Sequence, residues 1–476
     1  MKYKIGQQIV KAVYSKSETL NPLIDALPES LDANSFFKQI KSAPPICCNE
    51  NNMMLRERKQ SLNLLHTIFV PLNYMYYVYN TLFQMFRSSY CTLSSRERVA
   101  RINAIFASDK AINIYGTQAQ SGALLGTPGV GKTSTVKRCL KLIPQVIEHE
   151  KYLSRPFFCK QVIWLFVDCP SDANQKAMAY NIVHALDRAV ESNHLEYLMH
   201  MRGNSSSAVA AYIKVLCLTY HIGLIVIDEI QNVVVTAHRT NRVKPLIRFL
   251  TELTNDSSTA IYFTGTTLAE KVFQTEEYLR RRTRGPRLLP FKPDGVYRDF
   301  LQNFWSYQFT QKKAELTDKL ANQIYDYSGG IPAYIVKLFE GAQMLALTQG
   351  VKKIDSKLIV DAAAFLSIQP PKEIGKGTFL SDFKSPIDIN MQKESISNIA
   401  TDSGTINYDR EYYNLETNSG PGNQLNTADS EKRLYTKKRG RKKQERDEKD
   451  LIVALNEGKL KEMLLSQDMM EGIVLC

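Results

Sequence analysis

Residues 123–134 read ALLGTPGVGKTS and fit the phosphate-cradling pattern G-x-x-x-x-G-K-[ST] at Gly126, Gly131, Lys132 and Thr133. The residue types suit that chemistry. Gly126, Gly129 and Gly131 let the backbone curl until its N–H groups point inward, and the helix N-terminus behind them favours anionic phosphate. Lys132 adds a point charge at the β- and γ-phosphates, and the Thr133 hydroxyl can enter the shell of Mg²⁺. Thr127, Pro128, Val130 and Ser134 complete the expected loop. ATP and Mg²⁺ are the expected cofactors.

A second cluster lies downstream. Residues 224–231, LIVIDEIQ, form an apolar run ending in Asp228 and Glu229, the pattern of a Walker B strand. Asp228 at the strand tip would hold Mg²⁺ through water, and Glu229 would polarise the attacking water as general base. The competing reading is a buried strand ending in two solvated acids. Its spacing suits a strand next to the one that feeds the phosphate loop. In IYFTGTT at 261–267, Thr266 is the first choice, and Thr264 the second, for a polar residue facing the γ-phosphate; a plain Thr/Gly turn competes. The arginine-rich run YLRRRTRGPR at 278–287 has three open readings: a finger completing a neighbour's site, a DNA-facing surface, or a solvated charge run.

These residues need a scaffold, and the hydrophobic pattern supplies one. Residues 123–125 read as a strand and 133–142 as a helix. A nearly continuous apolar run at 161–169 reads as one strand buried on both faces, followed by an amphipathic helix at 173–192. Further on come a strand at 224–228, a helix at 244–253 and a strand at 260–264. This alternation predicts an α/β fold with a parallel sheet and right-handed crossovers. A helix at 94–106 leads in, and Tyr115, Gly116 and Thr117 are placed to line a base pocket. Helical patterns at 316–327, 332–347 and 356–365 read as a small lid over the nucleotide, with Pro332 in a first turn.

The chain has 476 residues, 44% of them apolar, enough for about two or three domains. The expected division is 1–100 as an N-terminal partner-docking region, 101–290 as the nucleotide-binding core, 291–368 as the lid, 369–430 as a disordered linker and 431–476 as a basic tail with an amphipathic end. The formal charge of +13 suggests a polyanionic partner, although eight Lys/Arg crowd into 432–443. That tail reads equally as a binding segment or as a solvated one. The eight cysteines show no C-x-x-C pair and no histidine at metal-ligand spacing, and read as reduced thiols of a cytosolic protein. The first residues lack the apolar core of a signal peptide. Residues 67–86 carry no charge, yet Pro71, two asparagines, Gln84 and four tyrosines point to an aromatic core or interface segment rather than a membrane span.

The chain resembles the TnsC family, AAA+ ATPases that regulate target choice in Tn-seven-type cut-and-paste transposons. The likeness runs through NPLIDALP (21–28), IPQVIEH (143–149), HALDRAVESN (184–193), IGLIVIDEIQ (222–231) and VKLF (336–339), and covers most of residues 20–365. It implies an AAA+ P-loop core with a helical lid, and ATP-dependent assembly of a ring or filament around double-stranded DNA. It further implies loading by a TnsD/TnsE-like or TniQ-like selector through the N-terminal region, readout by TnsA/TnsB-like transposase subunits through the C-terminal tail, and a place in the bacterial cytoplasm on the nucleoid, with no membrane partner. The phosphate loop, Asp228, Glu229 and Thr266 carry over by motif, and Arg280 and Arg284 match the family's basic segment. Candidate DNA contacts are Lys176 and Arg188 on the helix after the second strand, with Arg239 and Arg242 after Walker B. Two positions depart. Ala333 stands where AAA+ lids often carry an arginine, and residues 369–450 match poorly. The alternatives are a replication-initiator-like or helicase-loader ATPase, for which no winged-helix module is visible after Phe365, and a nucleotide-gated protein scaffold with little hydrolysis.

Overall fold

The computed structural model describes residues 2–14, 19–45, 53–93, 95–107, 120–200, 205–233, 243–270, 273, 283–371 and 376–387. The N-terminal part contains β1 (Ile9–Lys11), α1 (Pro22–Asp25), α2 (Ala33–Ile40), α3 (Leu55–Ser61), α4 (Asn73–Thr92) and α5 (Ser95–Ala107). The nucleotide-binding core follows with β2 (Ser121–Gly126), α6 (Lys132–Lys141), β3 (Val146–Tyr152), β4 (Arg155–Val162), β5 (Trp164–Asp168), α7 (Gln175–Val190), α8 (His194–His200), α9 (Ser206–Thr219), β6 (Leu224–Asp228), α10 (Val243–Ser257) and β7 (Ala260–Gly265). Then come β8 (Thr283–Arg284), β9 (Arg287–Leu289), α11 (Gly295–Trp305), α12 (Asp318–Ser328), α13 (Pro332–Gln349), α14 (Ser356–Phe365) and β10 (Thr378–Phe379).

The main sheet is parallel, in the order β10-β9-β2-β7-β6-β5, with β8 also paired to β2. Its strands alternate between two cores, as period-two side chains must. Leu124, Leu224, Val226, Ala260 and Tyr262 join one buried cluster; Ala123, Leu125, Ile225, Ile227, Ile261 and Phe263 join the other. Helices α4 and α6 cover the first face, and α5, α7, α9 and α10 the second, giving three layers.

Two expectations need correcting. The strand expected as a neighbour of β2, β6, is separated from it by β7. Strand order is set by nonlocal pairing, and here it inserts the β7 tip between the phosphate loop and the Walker B acids. The run at 161–169 is also not one strand. It breaks at Ile163, because Val162 exchanges backbone bonds with Tyr220 and Gly223 while Ile163 N–H donates to the Gln145 carbonyl. The part before the break, β4, pairs antiparallel with β3 in a separate three-stranded sheet, β1-β3-β4, and only β5 enters the main sheet.

Among the described residues, the N-terminal hundred share a core with the nucleotide-binding part and the lid. Tyr74, Val78, Leu82, Phe83 and Phe86 of α4 are buried in the same cluster as Leu124, Val226 and the lid residues Leu338 and Phe339. Among the described residues no helix is long and apolar enough to cross a membrane. Helix α5 is tied down by two arginines. Arg98, fully buried, donates to the carbonyls of Ser89, Leu93 and Ser257, and Arg101 to those of Asn255 and Asp256. These satisfy carbonyls left without intrahelical partners at the ends of α4 and α10. Within the segment expected to be linker, residues 376–387 return to the core. Phe379 pairs with Leu289, Leu380 is buried, and Phe383 packs on the Tyr74 ring.

Gly285, between β8 and β9, lets both strands approach β2. A Cβ there would stand 1.6 Å from the Ala123 carbonyl oxygen, so β2 would have to move. Gly285→Ala is therefore expected to destabilise the fold by about 1–3 kcal/mol, measured by denaturant unfolding.

The small sheet buries His149 between Gln161 Oε1 (2.9 Å from Nε2) and the Tyr14 hydroxyl (2.8 Å from Nδ1). Because Gln161 Nε2 donates to the Leu23 carbonyl, its Oε1 must accept, which puts the imidazole proton on Nε2 and leaves Nδ1 to accept from Tyr14. Burial lowers the His149 pKa from 6.5 to about 4. The unfolded chain therefore takes up a proton first as pH falls, and stability is lost between pH 6.5 and 4. The expected loss is about 3 kcal/mol from this group. Unfolding free energies at pH 7 and pH 4 should show that loss in the wild type and its disappearance in His149→Gln. Buried His221, also held well below its ordinary value, adds a background of the same sign to both proteins.

Candidate nucleotide-binding site

Three parallel strands end side by side, and the loops that leave them carry the candidate residues. Strand β2 delivers the phosphate loop. Gly129 (φ +85°) and Gly131 (φ +95°) hold left-handed conformations that a side chain would strain, and Gly131 caps α6. Gly126 serves close approach instead: a Cβ would meet the Leu288 carbonyl oxygen of β9 at 2.5 Å. Thr127 and Val130 are buried, while Pro128, Gly129 and Ser134 face out. Behind α6, the hydroxyl of fully buried Tyr74 bonds the Thr135 hydroxyl at 2.7 Å, fixing the helix from the α4 side.

Lys132 is 8% exposed, and its ammonium donates to the carbonyls of Gly126 and Thr127, each at 3.0 Å. Burial lowers its pKa to about 8, partly opposed by the charges of Glu229 and Asp228. Thr133 Oγ1 donates to Asp228 Oδ2 at 2.8 Å, so the loop hydroxyl and the Walker B carboxylate already meet. Asp228 Oδ1 accepts from the Glu229 N–H at 2.9 Å and from the Thr264 hydroxyl. A glycine cradle, a desolvated ammonium and a hydroxyl–carboxylate pair are the donor set that a nucleoside triphosphate with Mg²⁺ needs. Thr133 and Asp228 could hold the cation, and the N–H groups of residues 129–133 the phosphates.

The third strand, β7, separates the two threonines. Thr264 is buried with its hydroxyl on Asp228, whereas Thr266 lies at the strand tip, its hydroxyl buried and without a partner among the described residues. Glu229 stands exposed beside Asp228 in a left-handed conformation, φ +57°. Gln231 reaches it through Nε2 and reaches the Thr266 N–H through Oε1, at 3.0 Å. Its place in DEIQ was visible in the sequence, but nothing there pointed to a contact across strands.

The lid touches the loop at its first turn. Ala333 N–H donates to the Gly129 carbonyl at 3.1 Å, and a Cβ on Gly129 would lie 3.1 Å from the Ala333 Cβ. The position where related lids often carry an arginine thus packs as a methyl on the loop.

Other predicted residues lie apart or outside the described set. Lys176 begins α7 half-buried and Arg188 ends it exposed, about 18 Å apart along the helix axis. Tyr115, Gly116, Thr117, Arg239, Arg242 and Arg280 lie outside the described residues. Arg284 lies in β8, with its side chain outside them as well. Of the arginine-rich run, Arg287 is ion-paired with Glu270.

Residues 115–273 match the family described as AAA domain. No curated protein matches the chain. Among solved structures, similarity is found to the Thermotoga maritima RuvB Holliday junction branch migration motor, at 14% identity and TM-score 0.31, covering 64% of this chain and 75% of that one. It is also found to the Aeropyrum pernix ORC2 protein in its ADP form, at 12% identity and TM-score 0.35, covering 57% and 67%. The Aeropyrum pernix ORC1 protein in complex with DNA is similar at 15% identity and TM-score 0.36, covering 57% and 64%. With the glycine loop ending β2, the paired acids ending β6 and β7 inserted between them, the core of this chain has the AAA+ P-loop NTPase fold.

Proposed function

We propose that the chain is an ATP-hydrolysing, DNA-binding AAA+ regulator that oligomerises on double-stranded target DNA and connects a target-selection protein to the transposase in cut-and-paste transposition. The observation that carries the nucleotide reading is the convergence of Lys132, Thr133, Asp228, Glu229 and Thr266 on three adjacent strand ends. Support for the transposition reading comes from the phrases that flank those motifs, which Walker sequences in general do not share.

The residues divide the work. N–H groups of the loop and Lys132 bind and orient the phosphates, and Thr133 with Asp228 holds Mg²⁺. The cation supplies charge neutralisation at the phosphate oxygens. Glu229 takes the proton of the attacking water, and the Thr266 hydroxyl orients the water or the γ-phosphate. In an assembly, Arg280 or Arg284 completes the neighbour's site from across the subunit boundary. Bound ATP keeps the assembly together and hydrolysis resets it. Lys176, Arg188, Arg239 and Arg242 are candidates for phosphate contacts, the selector docks on the N-terminal region, and the tail meets the transposase. The place of action is the bacterial nucleoid.

The test is electron microscopy of the full chain with duplex DNA and a slowly hydrolysed ATP analogue. Rings or filaments on DNA that need both ligands are expected, with an affinity that falls steeply with salt. If nucleotide binds but no higher-order species forms, the reading fails. Assembly without DNA, and turnover that DNA leaves unchanged, would favour a nucleotide-gated protein scaffold.

A further inference from the structure

Gln231 lies two residues beyond the Asp228–Glu229 pair, and the chemistry above gives it no task. Its side chain joins two strand ends. Oε1 accepts from the Thr266 N–H at 3.0 Å, and Nε2 donates to Glu229 Oε2. A backbone N–H can only donate and an ionised carboxylate only accept, so these two partners fix which way the amide faces. The backbone around it is tied to β7 too, through Ile230 N–H on the Thr264 carbonyl at 3.1 Å. Gly265 leaves room for the contact: a Cβ there would lie 2.6 Å from Gln231 Oε1 and 2.8 Å from Ile230 Cγ2.

Glu229 needs such a support. It is exposed, on a left-handed backbone, and its side chain turns about several single bonds. Asp228, by contrast, is held by Thr133, Thr264 and the Glu229 N–H. Among the described residues, the hydrogen bond to the Glu229 carboxylate is the one from Gln231.

We propose that Gln231 is a positioning residue: anchored on the Thr266 N–H, its amide holds one oxygen of the Glu229 carboxylate and leaves the other to the attacking water. The base is thereby set in register with the β7 tip, where Thr266 presents a buried hydroxyl that has no partner among the described residues. This rests on the reading of Glu229 as the base. Gln231 acts through Glu229 and does not itself touch the phosphates, so its loss should slow turnover without weakening nucleotide binding. Displacing a reacting group by about 1 Å costs on the order of 100-fold in rate, which bounds the effect.

The experiment measures steady-state ATP hydrolysis by the full chain, with DNA present, for wild type, Gln231→Ala, Gln231→Asn, Glu229→Gln and the Gln231→Ala/Glu229→Gln double variant. A fluorescent ADP analogue reports nucleotide affinity, and thermal melting reports folding. For Gln231→Ala we expect kcat lower by about 10- to 100-fold, with KM and analogue affinity within threefold of wild type. Gln231→Asn, too short to span both partners, should behave like the alanine variant. In the Glu229→Gln background, Gln231→Ala should cost less than a further twofold, because the group it positions is already gone. The proposal is overturned if Gln231→Ala keeps kcat within twofold of wild type or raises it, if only KM changes, or if the loss persists in full in the Glu229→Gln background. Wild-type protein without turnover, or a fully active Glu229→Gln, would instead bring down the assignment of Glu229 as base, and Gln231 with it.

Discussion

Lys132→Ala is expected to lower the affinity for ATP by about two to three orders of magnitude and, with it, to abolish the proposed ATP-dependent assembly on DNA. The ammonium is almost entirely removed from water and is held by two neutral carbonyls at the mouth of the loop. A charge kept dry in this way is worth far more to an arriving phosphate than a surface lysine. Truncating one side of a desolvated charge contact costs about 2–5 kcal/mol, and each 1.4 kcal/mol is about tenfold in affinity. The lowered pKa, about 8, adds a signature that simple misfolding would not produce. Phosphate favours the protonated lysine, while the free protein has lost about half of that proton at pH 8 and most of it above. Affinity should therefore fall as pH rises, by up to about tenfold per unit, until the pKa of the bound state is reached. Titration with a fluorescent ATP analogue from pH 7 to 9.5 checks both statements. The wild-type curve should bend near pH 8, and the Lys132→Ala curve should be weak and flat. A variant that binds within threefold of wild type, or a wild type that tightens above pH 8, would refute the role.

The phosphate loop was legible because its chemistry requires contiguous residues: three glycines, a lysine and a threonine serve one ligand within eight positions. The Walker B strand was legible for a related reason, since β6 is buried on both faces and stops at its acids. Helices α12, α13 and α14 were legible from helical periodicity, and the structure adds caps that act locally. Thr317 and Asp355 accept from N–H groups of the first turns, and Gly329 and Gly350 take left-handed conformations at the C-terminal ends. What escaped depends on contacts distant in sequence. The break at Ile163 has no local cause and is imposed by Tyr220, Gly223 and Gln145. The aromatic content of α4 marked it as core, but only pairing and packing decide that it covers the sheet face holding Leu124 and Tyr262. In IYFTGTT the sequence ranks Thr266 ahead of Thr264 but shows no contact that decides between them. Alternation does not separate them, since residues two apart share a face; position along β7 does, with Thr264 inside the strand and bonded to Asp228 and Thr266 just past its end. Gln231 was unreadable for the same reason, since its meaning lies in β7, more than thirty residues downstream.

Glu229→Gln separates binding from turnover, and it is the sharpest check on the proposed chemistry. The substitution keeps shape while removing the carboxylate's charge and its ability to take a proton. Asp228 is not held by the Glu229 side chain: its carboxylate is fixed by the Thr133 and Thr264 hydroxyls and by the residue-229 N–H, which a glutamine retains. The cation-holding pair and the glycine cradle should therefore persist, with nucleotide affinity within about threefold of wild type, while turnover falls by about 10²–10⁴-fold as expected for loss of a positioned general base. If ATP holds the assembly together and hydrolysis releases it, assemblies of this variant on DNA should form at normal rates and outlive those of the wild type by a comparable factor. Single-turnover hydrolysis and the decay of DNA-bound species after dilution measure the two quantities. Lys132→Ala must differ on both, failing to assemble at all. Identical behaviour of the two variants would mean that the acid serves binding rather than chemistry, and assemblies that dissolve on the wild-type schedule despite blocked hydrolysis would uncouple turnover from disassembly.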